Sequence, residues 1–255
     1  MYISFIELVN FRKLKATRIE FAEGQTLFVG SNNSGKTSAM TALRLFLKDR
    51  SGMTARDVTL SNWRAINQLG EEWLTLKPNQ APDANALIDL LPAMDIWLEV
   101  EDEEIHHVAS LLPSLEWSGG KIGVRLQLEP KDIEALVSEY KEATTKANEL
   151  INDYQEKSGD KLDDFALWPK SFHDFFERRF GALVGLKAYA LDPDAIADLP
   201  PDNTVAPQVL SETATPLDGD PLAQLIHFRE IRAQRGALSE EAVLSRRGRF
   251  RSVCR

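Results

Sequence analysis

The sequence predicts an α/β fold, and three observations carry that expectation. A glycine-rich octapeptide, Gly30-Ser31-Asn32-Asn33-Ser34-Gly35-Lys36-Thr37, lies between the apolar run Thr26–Val29 and a helical run from Ser38 to Leu47. Segments of period-two alternation recur around it, the signature of half-buried strands. A long stretch from Asp132 to Lys157 repeats apolar residues every three or four positions, the period of an amphipathic helix.

The chain has 255 residues, 43% hydrophobic and 27% charged, enough for one large or two small domains with a real core. No apolar run approaches the roughly 20 residues of a membrane helix, and strand-like Tyr2–Ile6 opens the chain where a secretory signal would stand. The single cysteine, Cys254, excludes an intrachain disulfide framework and suits a reducing cytoplasm, so a cytoplasmic protein with no membrane partner is expected. With a net charge of −9, nucleic acid would have to meet a local basic patch. The arginines from Arg229 to Arg255 offer one, although the tail also reads, and reads better, as solvated or out of frame.

Tyr2 to Phe11 is rich in β-formers, Arg12-Lys13-Leu14-Lys15 makes a basic turn, and Ala16 to Phe21 alternates again, which predicts an antiparallel pair. After a turn at Glu23-Gly24, a strand from Gln25 to Val29 is expected to deliver the octapeptide. That octapeptide fits G-x-x-x-x-G-K-[ST] at every fixed position, so the fold is expected to be a P-loop NTPase. Gly30 and Gly35 are expected to take φ > 0 and turn backbone N–H groups inward on an anion. The amides of Ser31, Asn32, Asn33 and Ser34, with the positive end of the following helix, would hold the α- and β-phosphates of ATP. Lys36 would reach the β/γ-phosphates, the Thr37 hydroxyl would complete an Mg²⁺ shell, and Ser38 adds a second hydroxyl. The helix is expected to bury Met40, Leu43 and Leu47 with Ala39, Leu45 and Phe46.

The runs Ile6-Glu7-Leu8-Val9-Asn10-Phe11-Arg12, Glu20-Phe21-Ala22-Glu23-Gly24 and Phe28-Val29-Gly30 through Ser38 resemble the start of the SMC/RecF-type ATPases. Within that group they look most like the N-terminal AAA-type ATPase domain of the OLD (overcoming lysogenization defect) family endonucleases. The close match covers about the first fifty residues, continuing more weakly through Asp57–Trp63. The resemblance implies an ABC/SMC-like head with an antiparallel β subdomain. It also implies ATP-driven joining of two heads, as a homodimer or with a partner chain, and nucleic-acid processing by a full-length protein that carries a Toprim nuclease domain in the OLD family.

Further along, Met94–Val100 reads as a strand and the acidic run Glu101–Glu104 as the opening of a helix through Leu112. His106 and His107 are expected to point apart on that helix, as surface residues. Ser118-Gly119-Gly120 evokes the helix-opening signature of ABC-type ATPases. Ile122, Val124, Leu126 and Leu128 alternate directly after it, so it reads as a turn into a strand. The helix 132–157 is either an ordinary amphipathic helix or a short relative of the coiled-coil arm inserted in SMC heads. Leu162–Phe180 reads as an aromatic-rich helix packed in the core, Leu186–Leu191 as a strand, and the proline-rich Asp192–Pro221 as loop or linker.

The expected organisation is therefore 1–50 as N-terminal strands, loop and first helix, 51–191 as an inserted α+β region, 192–221 as linker, and 222–255 as a return to the head followed by a basic tail. Leu225–Phe228 followed by Arg229–Gly236 resembles the segment of the family in which a strand ends in an Ala-x-Arg or Gln-Arg element, and Gln234 there is the one candidate for a residue sensing Mg²⁺ and the attacking water. A strand of four apolar residues ending in Asp-Glu, which hydrolysis in this superfamily requires, is not found; Ala86-Leu87-Ile88-Asp89 lacks the glutamate and a strand context. The C-terminal half of the head is accordingly expected to be missing from this sequence. Two other classes stay open: a P-loop small-molecule kinase or GTPase-like switch, and a non-catalytic interaction protein built on the long helix.

Overall fold

In the computed structural model, the structure describes residues 1–77, 80–112, 117–158, 167–197, 205–211 and 213–230. Five strands form one antiparallel sheet: β1 (Tyr2–Phe11), β2 (Leu14–Glu20), β3 (Ala93–Val100), β4 (Gly120–Pro130) and β5 (Val184–Leu191), in the order β2-β1-β3-β4-β5. The β1–β2 hairpin closes through Arg12-Lys13 alone, because Phe11 pairs with Leu14. Gly119 and Gly120 have φ of 108° and 104°, left-handed values that only glycine adopts cheaply, and they lead directly into β4. The Ser-Gly-Gly segment is therefore a strand entry and opens no helix.

Period-two alternation gives this sheet two unlike faces. Ile6, Leu8, Met94, Ile96, Leu98, Ile122, Val124, Leu126 and Leu128 line one face and enter the main core. Helices α2 (Trp63–Thr75), α3 (Ala84–Ile88), α4 (Ile133–Ser158) and α5 (Phe172–Leu183) supply the opposing layer, with Ile66, Trp73, Leu87, Leu136, Tyr140, Phe172 and Phe176 buried. Gly70 is there for closeness: a Cβ on it would lie 2.3 Å from the Phe172 side chain, so a larger residue would push α2 off α5. The aromatic segment packs as core, as expected, but its helix begins only at Phe172. Pro169 disfavours helix just before it, and Ser171 caps the first turn by accepting from the Asp174 N–H. Residues 162–166 of that segment lie outside the described residues. Helix α4 runs 26 residues, about 40 Å, uninterrupted by glycine or proline.

The second face carries Phe5, Trp97 and Leu191, against which Ile196 and Leu210 of the proline-rich segment pack. Beside them a charged row crosses the whole sheet in register: Arg18 opposite Glu7, Glu7 opposite Asp95, Asp95 opposite Arg125, Arg125 opposite Tyr189. Arg125 grips Asp95 with two bonds of 2.7 Å, both residues buried, and Arg18 donates to Glu7 at 2.5 and 2.8 Å. Burial pushes the Glu7 and Asp95 carboxyls up from their ordinary range, while the facing guanidiniums pull them back. Tyr189 donates to Glu129 at 2.7 Å, and burial with that carboxylate raises the phenol well above its usual value.

Four expectations are corrected. Gln25–Val29 forms no strand: it joins no ladder, and Leu27 and Val29 are 78% and 82% exposed, while Phe28 alone turns inward to Phe21. The β-propensity of such a run is expressed only where a neighbouring strand accepts its hydrogen bonds, and β2 is paired with β1 alone. Met40 is half exposed, because α1 (Lys36–Leu47) buries Ala39, Ala42, Leu43, Leu45 and Phe46 instead. Asp102–Leu111 is 3₁₀ rather than α-helical, and the His106 and His107 rings, instead of pointing apart, lie 3.9 Å from each other. Leu225–Phe228 is a turn followed by irregular chain, with no strand through Glu230.

Candidate nucleotide-binding loop

The hairpin tip and the octapeptide meet, and the chain between Thr54 and Thr59 holds them there. Asp57, buried, accepts from Arg12 Nε at 2.8 Å and from the Thr54 N–H at 2.9 Å, completing a capping box. Its carbonyl accepts from the Arg12 N–H at 2.8 Å, and the Thr59 N–H donates to the Asn10 carbonyl. These bonds stabilise Arg12 and Asn10 at φ of 49° and 55°, unusual for residues with a Cβ. The tip so fixed presses Leu14 toward Gly35: a Cβ there would lie 3.0 Å from the leucine methyl. Beside Leu14, Lys13 Nζ donates to the Asn33 side-chain oxygen.

Within the loop, Lys36 Nζ donates to the carbonyls of Gly30 and Ser31 at 2.6 and 2.7 Å and to Ser34 Oγ at 3.2 Å. Gly35 caps α1 at φ 95°, as the sequence predicts. Gly30 does not take φ > 0; the second left-handed residue is Asn33, at φ 73°. Glycine at position 30 serves close approach instead, because a Cβ would stand 2.8 Å from Ser34 Oγ and 3.7 Å from Lys36 Nζ.

Helix α1 begins without a side-chain cap and without an acidic residue in its first turn. Its leading N–H groups lack helical partners, so its N-terminus presents partial positive charge beside the Lys36 ammonium. Thr37 is exposed; its carbonyl accepts from Thr41 Oγ1, and its own hydroxyl makes no hydrogen bond among the described residues. Ser38 follows, half-buried, and Asn32 is exposed. The Ser34 N–H donates to the Ser31 carbonyl at 3.3 Å, so the donors that suit an anion here are the two lysine ammonium groups and the leading N–H groups of α1, with no carboxylate bonded to either lysine among the described residues.

A magnesium ion fits this set only if phosphate oxygens and water supply most of its shell, since Thr37 offers a single hydroxyl. Among the described residues, no group of three or more His, Cys, Asp or Glu could hold a metal, and the neighbouring His106 and His107 belong to no such group. Ala86–Asp89 belongs to the short helix α3 and its end, where Asp83 caps the N-terminus. Gln234 and the basic tail from Ile231 onward lie outside the described residues.

Sequence reasoning missed Lys13 and Asp57. The signal for Lys13 was available, since a connection of two residues between paired strands leaves both at the tip. That for Asp57 was not, because nothing local announces a partner 45 positions away.

A glycine loop that wraps a lysine ammonium and feeds an uncapped helix defines a P-loop nucleotide-binding protein. Residues 1–180 match the model of the AAA ATPase domain family (AAA_15), and the chain belongs to that family. Among curated relatives, it is 38% identical over 63 residues to the DNA replication and repair protein RecF of Clostridium kluyveri, a match covering 25% of this chain and 17% of that protein. It is 26% identical over 196 residues to RecF of Synechococcus sp. (strain JA-3-3Ab), covering 66% of this chain and 48% of the relative. The chain thus spans less than half the length of these curated relatives. A solved chain from work on "ATP-driven dimerization and DNA stimulated activation of SMC ATPases" covers 57% of this chain and 78% of itself at 19% identity, with a TM-score of 0.30, too loose a likeness to argue from. The chain is thus a member of the AAA ATPase domain family that is similar over part of its length to RecF proteins. No described helix is long and apolar enough to cross a membrane.

Proposed function

We propose that Gly30, Ser31, Asn32, Asn33, Ser34, Gly35, Lys36, Thr37 and Ser38 bind magnesium ATP, and that the chain is the ATP-binding N-terminal portion of an OLD/SMC-like ATPase acting in DNA processing. The observation that supports this best is the Lys36 ammonium, held on the Gly30 and Ser31 carbonyls beside the uncapped start of α1. Those partners are neutral, so an ammonium-to-phosphate contact would outbid them. Lys36 would neutralise charge at the β/γ-phosphates, the loop amides and helix N-terminus would orient the tail, and the Thr37 hydroxyl would face the metal. Bound magnesium would supply further charge neutralisation on the phosphate oxygens.

The resemblance to SMC-type ATPases supports a second head completing the site across a dimer, and the resemblance to the OLD family supports a role in a nuclease-based defence or repair system. Calorimetric titration of the full chain with magnesium ATP tests the loop: binding is expected in the wild type and a loss of at least about tenfold in Lys36→Ala. ATP should compete better than GTP, and hydrolysis by the isolated monomer should be negligible. Robust monomeric turnover abolished by Lys36→Ala would overturn the need for a second head.

A further inference from the structure

Lys13 is committed to nothing that the fold requires. The hairpin tip is held by the Arg12–Asp57 contacts and by Leu14 against Gly35, all without its side chain. Its ammonium meets only the neutral amide oxygen of Asn33, and no carboxylate pairs with it among the described residues. An exposed contact of this kind is worth roughly 1 kcal/mol or less. The position, by contrast, is strongly specified. A two-residue turn with a left-handed first residue, bonded through backbone and side chain to a buried aspartate, delivers the Lys13 side chain to the middle of the phosphate loop. Lys36 holds other atoms of the same loop, the Gly30 and Ser31 carbonyls and Ser34 Oγ.

We infer that Lys13 is a second phosphate-contacting cation of the nucleotide site, lent to the loop by the β1–β2 hairpin. The inference rests on the proposed binding of ATP by Gly30–Ser38. A triphosphate presents several anionic oxygens to a loop whose own amides cover only part of them. The Lys13 ammonium, exchanging Asn33 for such an oxygen, replaces a neutral acceptor with a charged one, and this exchange favours binding. Because the tip is fixed beforehand, little backbone order is lost when the contact forms.

The test is titration of the full-length chain with magnesium ATP and magnesium ADP, using wild type, Lys13→Met, Lys13→Arg and Lys36→Ala, with thermal melting of each. Lys13→Met should weaken ATP binding about tenfold, as for one lost charge-assisted hydrogen bond, at an unchanged melting temperature. It should also flatten the dependence of affinity on salt, and Lys13→Arg should recover most of the loss. Wild-type ATP affinity in Lys13→Met, with Lys36→Ala impaired, overturns the role of Lys13 and leaves the loop reading standing. So does a loss that accompanies a lowered melting temperature and is not recovered by arginine. Failure of the wild type to bind, or indifference to Lys36→Ala, removes both readings.

Discussion

The buried row on the sheet and the phosphate loop both depend on cationic side chains, and they use them in opposite ways. On the sheet, buried Arg125 and half-buried Arg18 are spent on the buried carboxylates of Asp95 and Glu7, at 2.5 to 2.8 Å. At the loop, Lys36 and Lys13 rest on neutral oxygens. Burial makes the difference. A guanidinium out of water must be neutralised by the protein itself, whereas an ammonium at the surface is solvated and stays available to an incoming anion. Charges of one region hold the fold, and those of the other are in reserve for a ligand.

The largest test of that contrast is Asp95→Asn, which leaves Arg125 buried without its counterion and should cost about 3–5 kcal/mol in denaturant unfolding. Replacing the pair together, Asp95→Leu with Arg125→Met, should recover most of it. A single mutant as costly as the double one would mean that the pair holds the sheet through specific bonds and not through mutual neutralisation. Asp57→Ala comes next. It removes the acceptor of Arg12 Nε and of the Thr54 N–H, so about 1–3 kcal/mol is expected, with looser ATP binding through the hairpin tip. Lys36→Ala should change stability by no more than about 0.5 kcal/mol while losing the nucleotide; a large drop in stability would erase the distinction between the two regions.

The smallest effect is a dependence on pH. Because burial raises the folded pKa of Glu7 above its unfolded value, the folded state holds that proton more tightly. Its stabilising share is fully present below the ordinary glutamate pKa of about 4.3 and is lost as pH rises through the folded value. The stability of the wild type relative to Glu7→Gln should therefore fall over that rise, as followed by guanidinium melts. A relative stability that climbs instead would show the Arg18 contact overriding burial.

Much of this was legible along the chain. The alternation in Tyr2–Phe11 and in Ile122–Leu128 marks strands because each side chain reports which side of the pleat it occupies. The fixed positions of Gly30–Thr37 mark the loop because they answer to backbone geometry. The three- and four-residue steps mark α4 for the same local reason. Gln25–Val29 misled, since β-forming residues express a preference without naming a neighbour, and here no strand takes their hydrogen bonds. Glu7, Asp95 and Arg125 stand in alternation as solvent-facing residues would; only the register of three strands shows that they neutralise one another. Lys13 and Asp57 matter for where other segments stand, which no window of sequence contains.

The order of the strands also sets a timetable for synthesis. Tyr2 pairs with Glu99, and Ile6 with Ile96, so the first strand made waits through the loop, α1 and α2 for its inner neighbour. A nascent chain ending near Thr75 would hold the hairpin and the whole phosphate loop with the inner edge of β1 still unpaired. Such an intermediate is prone to stick to other chains, and a ribosome-bound holdase that shields this edge until β3 emerges should raise the yield of folded protein.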